Sequence, residues 1–554
     1  MTITWALLAD FDRDGTFSQD LTAYVTKPGN GIAISRGMGP DGLIEVSKLS
    51  VTLNNGDGRF TANNSSSPYY GQMDPGVPVR VTAAHNANDY TLWTGYAQSW
   101  EREWRTGDVP MVTVDCWDLA HYLIEAPSVN VAVATDRDTD GALVAIMDAL
   151  GLSAADRDFE DGLQALPVHY VAGQEAMEAM MAVVRSEMGG HLWTNASGQL
   201  RFESRATRLG IGSVDDTWGD GTSIFPVGIS DLTDDMDYVT TVRVKSTVYA
   251  VGDTTEIWRM ESRGDHQSTA NSIALGANDA YEREFTPSLA VNAITTPVSS
   301  TDYAANSAAN GSGTDRTANL TVTVTALGGG RFRLRLTNSF AGTIYVTKLR
   351  LRGTSVGVYA DQPEAVVTLT RADRPAGKKV EAELPFAGDG LYQPLDWACT
   401  LLRAYRYSNQ RISMTHIPDT TSYIDKMLSL ELGQLIKFKD TGLGTAASYS
   451  DDWYRVAAIG QHIPPDWAGE SFITEVTLEP SHIYRNLDAI AFDFFNRADA
   501  AGSLGISTNG VDWTGDSGFD ISANQAVPGG NSLSIATIDL GVGVADMVVE
   551  ATFA

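Results

Sequence analysis

The sequence predicts a mainly β protein with one small α+β domain, and three observations carry that prediction. Glycine is abundant at 52 residues and sits among many Thr, Val and Asn, a composition of strands and turns. Apolar residues alternate with period two in block after block along the chain. Helical spacing appears at only three places. A length of 554 residues is too much for one ordinary core and sets a prior of roughly four domains.

Residues 1–125 read as strands separated by turns. Ala23–Thr26, Leu49–Leu53, Val77–Ala83 and Val112–Cys116 alternate, with Asn54-Asn55-Gly56-Asp57-Gly58 and Pro75-Gly76 as turn signals between them. That spacing predicts a small barrel or sandwich. Residues 126–210 change character. Leu143, Ile146, Met147 and Leu150 fall at helical spacing, with Thr139 or Asp140 as N-cap and Gly151 as the stop. A second helix carries Met177, Met180, Met181, Val184 and Met188 on one stripe and ends at Gly189-Gly190. Methionines so placed suit either an adaptable groove or plain core, and core is the expectation. A hairpin, His191–Thr194 and Leu200–Glu203 about Ser197-Gly198, closes this α+β unit.

Strands resume at 211–265, best seen in Tyr238–Val244, and return at 361–485 with Ala365–Thr370. A helix at Leu395–Tyr405 and strands at 411–417, 430–438, 453–459 and 472–478 complete that part. Between them, 266–360 reads as an inserted β-rich domain, with strands Leu320–Val324, Arg331–Leu336 and Ile344–Arg352 and a Gly328-Gly329-Gly330 turn. Residues 486–554 shift again to Gly, Asn and Asp with short alternating strands.

Lys and Arg number 39 against 69 Asp and Glu, a formal net charge of −30. So acidic a surface repels phosphate and disfavours adhesive nucleic-acid binding, though it suits a surface past which DNA slides. No apolar run reaches the roughly 18 residues of a membrane helix. The N-terminus lacks a basic region and its apolar stretch stops at Asp10, so no secretory signal is expected. Cys116 and Cys399 are the two cysteines, read as buried free thiols, which excludes a disulfide scaffold.

No catalytic constellation stands out. The eight histidines are scattered, without HxxxH spacing or a neighbouring cysteine pair, so zinc is unsupported. Cys116 and His121 are five apart, and nothing holds them as nucleophile and base. GxSxG, Walker and dinucleotide fingerprints are missing. Asp10, Asp12 and Asp14 precede Gly15 as the first ligands of a calcium loop would, but Leu21 stands where its last acid belongs. An acidic hairpin turn is expected there, with a cation loop as the sharper alternative. Finally, no Asp or Glu occurs from Arg316 to Ala360, while Arg331, Arg333 and Arg335 share one strand face and Lys348, Arg350 and Arg352 form a second row. These six are either a solvated face or a docking surface for an acidic neighbouring subunit.

Several of these segments together resemble the tail-hub, or minor tail, proteins of long-tailed bacteriophages. They are the Asp-rich opening at 10–15 and Val51–Phe60 continuing to Ser67-Pro68-Tyr69-Tyr70-Gly71. Pro75–Val81, Leu92–Tyr96, the two-helix unit ending in His191–Phe202, and Leu430–Ile436 followed by Trp453–Ile459 and Thr474–Pro480 continue the series. The order of these motifs covers most of 1–485 apart from the insertion. The resemblance implies two β-barrel tube-type domains, 1–125 and 211–265 with 361–485, flanking the α+β domain. It implies a homotrimer whose six barrels adapt a sixfold tube to a threefold tip. Expected partners are other copies, neighbouring tail-tube, distal tail and tail-tip proteins, and DNA in passing. No cofactor and no enzymatic activity are expected, and the location implied is the virion tail tip, assembled in the host cytoplasm. Locally the motif is sound: Gly56 and Gly58 permit the turn, and Phe60 can pin the loop back onto the strands.

Phe492–Asp499, Gly502-Ser503-Leu504-Gly505 and Gly510–Thr514 resemble the opening of a concanavalin-like lectin jelly roll. Such a module implies host-surface glycans as partners, with Trp513 as a candidate stacking platform. Its length would exceed the residues left, so either the sequence is part of a longer protein, which is the expectation, or another subunit completes the module. The alternative readings are a carbohydrate-binding adhesin and a tail-associated cell-wall hydrolase.

Overall fold

The computed structural model describes residues 3–25, 31–39, 44–104, 109–209, 214–233, 239–260, 272–287, 289–358, 364–370, 378–388, 392–404, 410–439, 452–464 and 472–481. Beyond these it describes five short strands, Trp513–Gly515, Phe519–Ser522, Gln525–Pro528, Ala536–Ile538 and Val548–Val549. The protein is mainly β. The lectin-like segments at 492–512 lie outside the described residues, as does the side chain of Trp513.

The N-terminal strands are β1 (Thr4–Ala9), β2 (Gln19–Asp20), β3 (Ile32–Gly37), β4 (Lys48–Asn54), β5 (Val77–His85), β6 (Asn88–Glu103) and β7 (Met111–Trp117). β5 shows why they form: its Val77, Val79, Val81 and Ala83 are buried while the residues between are half-exposed, the period of a strand with one face on a core. The α+β unit follows. It comprises α1 (Leu119–Glu125), β8 (Val129–Asp138), α2 (Thr139–Ala149), β9 (Arg157–Phe159), β10 (Ala165–Gln174), α3 (Ala176–Ser186), β11 (His191–Thr194), β12 (Leu200–Glu203) and α4 (Arg205–Leu209). Met180, Met181 and Met188 are at most 5% exposed, so the methionine stripe is core and lines no groove.

Next come β13 (Asp216–Gly219), β14 (Gly228–Thr233), β15 (Val239–Thr247), β16 (Tyr249–Val251) and β17 (Thr255–Arg259). The insertion adds β18 (Ile273–Leu275), β19 (Ala280–Phe285), β20 (Val291–Ile294), β21 (Tyr303–Asn306), β22 (Leu320–Gly328), β23 (Arg331–Asn338) and β24 (Ile344–Val358). The last part holds β25 (Glu364–Thr370), β26 (Lys378–Leu384), α5 (Tyr392–Ala404), β27 (Gln410–His416), α6 (Thr421–Leu428), β28 (Leu435–Lys439), β29 (Asp452–Ile463) and β30 (Ile473–Pro480).

The strands expected to form two separate barrels join instead. One 13-stranded sheet runs β14-β27-β30-β29-β3-β4-β7-β6-β5-β1-β2, with β13 and β28 attached beside β29, and none of the sheets closes into a barrel. The reason is β29. Its Ala458–Ile463 pairs antiparallel with β3, while its other side pairs with β30. That ladder satisfies the β3 edge which barrel closure would have used. β15 lies outside this sheet, paired with β25 and β26 in a three-stranded sheet of its own. A strand expected over 430–438 starts at Leu435, after a turn through Gly433 with φ +82°.

The insertion is a two-sheet sandwich. β24 is long enough to pair with β16, β17, β18, β20 and β21 in succession, and β19-β23-β22 covers it. Phe332, Leu334 and Leu336 of one sheet meet Ile344, Val346, Leu349 and Leu351 of the other in one core. The Gly328-Gly329-Gly330 turn, all at positive φ, does more than reverse the chain. Gly329 donates its amide to the Val131 carbonyl at 2.9 Å. A Cβ on Gly329 would lie 2.7 Å from Asn130 Oδ1 and 2.8 Å from the Val171 carbonyl. The bare backbone therefore docks against β8 and β10, beside the bulge between His169 and Val171.

Candidate functional site

The strands of the large sheet come from two parts of the chain, and a set of charged side chains ties those parts together. Arg36 of β3 is 2% exposed. Its guanidinium donates to Glu431 Oε1 at 2.5 Å and to the Leu430 carbonyl at 3.0 Å. Glu431 accepts the Ala196 amide from the β11–β12 turn at 3.0 Å. Arg455 of β29 donates to the carbonyls of Gly433 at 2.7 Å and Thr207 at 2.5 Å. Arg208 beside it is pushed down to about 10, chiefly by burial and also by Arg455. Burial likewise raises the Glu203 carboxyl against the pull of Arg208, Arg455 and Arg201. Trp193 from the α+β unit enters the large-sheet core and packs closely on Gly433, where the backbone turns at φ +82° and a Cβ would press 3.0 Å from Glu203 Oε1 and 3.2 Å from the Trp193 ring.

Helix α6, which the sequence did not announce, is the second tie. Asp425 accepts from Tyr90 at 3.0 Å and pairs with His85 Nδ1 at 2.6 Å, on the N-terminal β5–β6 hairpin. Lys426 pairs with Asp216. Tyr423 donates to the Phe225 carbonyl at 3.0 Å and meets His416 Nδ1 at 2.6 Å. Because the hydroxyl proton goes to that carbonyl, His416 must donate from Nδ1, leaving Nε2 buried without a partner. Burial holds His416 at about 4. An eight-residue amphipathic helix between strands is too short to register against a strand-rich background.

The turn ending in Phe60 is built as expected. Phe60 is 1% exposed and packs edge-on to Tyr24 and flat against Tyr69 and Trp100. Its amide and the Thr61 hydroxyl are both held by Asn55.

Asp10, Asp12 and Asp14 do converge, with carboxylate oxygens within 4.8 Å of one another. Asp10 is buried, however, and its two oxygens accept the Asp14 and Gly15 amides at 3.3 and 2.8 Å. Leu21, at the place of the last calcium ligand, is 1% exposed in the core. The geometry is that of an acidic turn anchored by Asp10.

The two cationic rows part company. β23 and β24 belong to different sheets and send their apolar residues into one shared core, so the rows lie on opposite outer faces. Arg350 and Arg352 clamp Asp302, at 3.1 and 2.9 Å. The Arg352 hydrogen bond foremost holds that carboxyl down at about 2, against its burial. Arg333 pairs with Glu284 at 2.7 Å and Glu282 at 3.2 Å. Lys348 donates to the Ser300 carbonyl at 3.3 Å, Arg331 is half-buried and Arg335 is exposed.

Two groups of large apolar side chains are exposed on the large sheet and its loops: Tyr70, Trp104 and Val109, and Phe225, Val227 and Ile417. Of the first group, Trp104 and Val109 flank the outer end of the β6–β7 hairpin, where Val109 lies beside the Gly56 turn. The second lies where β14, the last described strand of the sheet, begins: Val227 donates to the Thr415 carbonyl.

No family model matches the chain, and no curated protein matches it. Among solved structures, it is similar to the tail protein from Neisseria meningitidis MC58 at 10% identity, covering 87% of this chain and 98% of that one with a TM-score of 0.45. The 43 kDa tail protein of prophage MuSo2 from Shewanella oneidensis matches at 10% identity over 87% and 99%, with a TM-score of 0.44. Prophage tail protein gp18 from Listeria monocytogenes EGD-e matches at 10% identity over 86% and 94%, with a TM-score of 0.38.

Proposed function

We propose that this chain is a structural virion protein, the trimeric hub at the distal end of a phage tail tube. The observation that carries the reading is the composite large sheet. One chain supplies two sets of strands, β1–β7 and β13, β14, β27–β30, and fuses them edge to edge through β3 and β29. Three copies of such a chain present six strand units on a threefold plan, which is what a sixfold tube needs at a threefold tip. The net charge of −30 supports the accompanying role of lining a DNA exit channel, because negative walls do not capture phosphate. The partners in this reading are other copies, the neighbouring tail-tube, distal tail and tip proteins, and DNA in passing. Residues 486–554 would open a lectin-like module toward host glycans. The reading assigns no catalysis to the chain.

The native mass of the purified chain, followed by electron micrographs, tests it. A trimer seen as a ring with six lobes is expected. A stable monomer or dimer that forms no ring, alone or on isolated tubes, would overturn the hub assignment.

A further inference from the structure

We infer that the outer face of β24, on the inserted sandwich, binds an acidic polysaccharide carrying carboxylate or phosphate groups on successive units. The inference stands apart from the hub reading, because the insertion supplies no strand to the large sheet. Residues 266–360 hold eight Lys and Arg against five Asp and Glu, in a chain whose net charge is −30. The insertion is thus the cationic part of an acidic protein.

Its two outer faces differ in how their cations are met. On the β23 face, Glu282 and Glu284 of β19 stand directly across from Arg335 and Arg333, and Arg333 pairs with both. On the β24 face, Lys348, Arg350 and Arg352 alternate with the buried Leu349 and Leu351, so the three form one outward row. Asp302 is the acid they gather around. Its Oδ1 accepts from the Nε of both arginines, and its Oδ2 accepts from Arg352 Nη2. Neither Nη of Arg350, nor Nη1 of Arg352, has a partner among the described residues. Lys348 donates only to the Ser300 carbonyl. Across β24, Arg259 lies opposite Arg350 and pairs with Glu256, so the face carries four cations to two acids.

The shape favours a chain-like ligand. The strand neighbours of Tyr345, Lys348 and Thr354 are Ala274, Ala304 and Ala293, short side chains that leave the row open along its length. Alternate residues of a strand lie ~6.8 Å apart, which suits acids borne on successive units of a polymer. Duplex DNA carries a charge every ~1.7 Å, and the acidic remainder of the chain repels it. A protein partner needs an apolar anchor at the centre of the contact, and the row has none. Tyr345, half-exposed at the end of the row, instead presents a flat ring face that a sugar ring can cover. Asp302, 2% exposed, acts as a positioning residue. It holds both guanidiniums in place before a ligand arrives, which lowers the ordering cost of binding, and the guanidinium fork matches carboxylate and phosphate alike.

Binding of the full chain to immobilised polymers tests the inference, at ~0.15 M salt, where exposed charges are screened beyond about 8 Å. Polygalacturonate and poly(glycerol phosphate) carry the two kinds of acid, dextran is the neutral control, and duplex DNA is the polyanion without a matching spacing. Wild type is expected to bind one or both acidic polymers and not dextran. Lys348→Gln with Arg350→Gln leaves Arg352 on Asp302 and is expected to weaken binding at least tenfold. Arg335→Gln with Lys48→Gln removes two exposed cations elsewhere and is expected to change it less than twofold. If the first pair loses wild-type circular dichroism, Lys348→Gln alone takes its place, with an expected loss of at least threefold. Binding to neither acidic polymer would overturn the inference. Equal weakening by the two double variants, or DNA held as tightly as the polymers, would overturn it too, since diffuse charge would then account for the binding. None of these outcomes touches the hub reading, which native mass decides.

Discussion

Acidification from pH 7 to pH 5 is expected to weaken this protein through His416, by an amount the structure allows to be worked out. The ring is 0% exposed. Its Nδ1 proton is committed to Tyr423, and its Nε2 faces no acceptor, so a second proton would place an unpaired charge in the core. Burial holds the folded value at about 4 against the usual 6.5. Above pH 6.5 the ring is neutral folded or unfolded and contributes nothing to the pH dependence. Between 6.5 and 4 the unfolded chain binds the proton and the folded chain does not, so stability falls as pH falls through that window. The full effect is roughly 3 kcal/mol below pH 4, and about 2 kcal/mol of it is felt at pH 5. Urea unfolding followed by tryptophan fluorescence is a suitable assay, because Trp218 lies 5.1 Å from the His416 ring. His416→Gln keeps a donor for Tyr423 but does not titrate. Its loss between pH 7 and 5 should be smaller than that of wild type by about 2 kcal/mol. Equal losses in the two proteins would refute the reasoning, whatever the constant cost of the substitution.

Other outcomes follow from contacts described above or buried alongside them. Gly329→Val should leave the inserted sandwich folded but undock it, speeding amide exchange at Val131 and at 171–174 at least tenfold, since the Cβ alone would approach two polar atoms at under 3 Å. Glu187→Ala should cost about 3 kcal/mol or more in urea unfolding. That buried carboxylate accepts from the Thr139 hydroxyl and from the amides of Leu163, Gln164 and Arg205, and its loss orphans them. Asp302→Asn should free Arg350 and Arg352 from their clamp, read as earlier elution from an anion-exchange column than the loss of one surface carboxylate produces. Asp315→Asn, which removes an exposed acid from the same domain, supplies that comparison. A cell-wall zymogram with the intact chain should show no clearing, and a cleared band would favour the hydrolase reading.

What the sequence showed and what it hid have physical causes. Val77–Ala83 and Val112–Cys116 could be read because a strand with one buried face writes its burial as alternation within a few residues. The turn ending in Phe60 was legible for a similar reason, since Asn55 holds both Phe60 and Thr61 nearby in the chain. The β3–β29 ladder was not, because hydrogen bonds between backbones leave no signature in side chains and the partners are far apart in sequence. The acid that clamps Arg350 and Arg352 was hidden in the same way, because it arrives from Asp302, earlier in the chain than the acid-free run from Arg316 to Ala360. Helix α6 hid behind its brevity, yet its Tyr423, Asp425 and Lys426 reach Phe225, His85 and Asp216.

The pairing of Ile32 with Ile463 also sets a clock during synthesis. β3 leaves the ribosome early and finds β4 at once, but its second edge must wait until nearly the whole described chain has been made. At ~5–20 residues per second that wait is on the order of a minute or less. For that time the nascent protein carries an open strand edge next to Ile32 and Ile34, both buried once the partner arrives. Crowded polysomes making this chain would bring several such edges together before any of them could be covered in cis. Yield of soluble protein should therefore respond to translation speed and to strand-edge-binding chaperones more than to the stability of the finished fold.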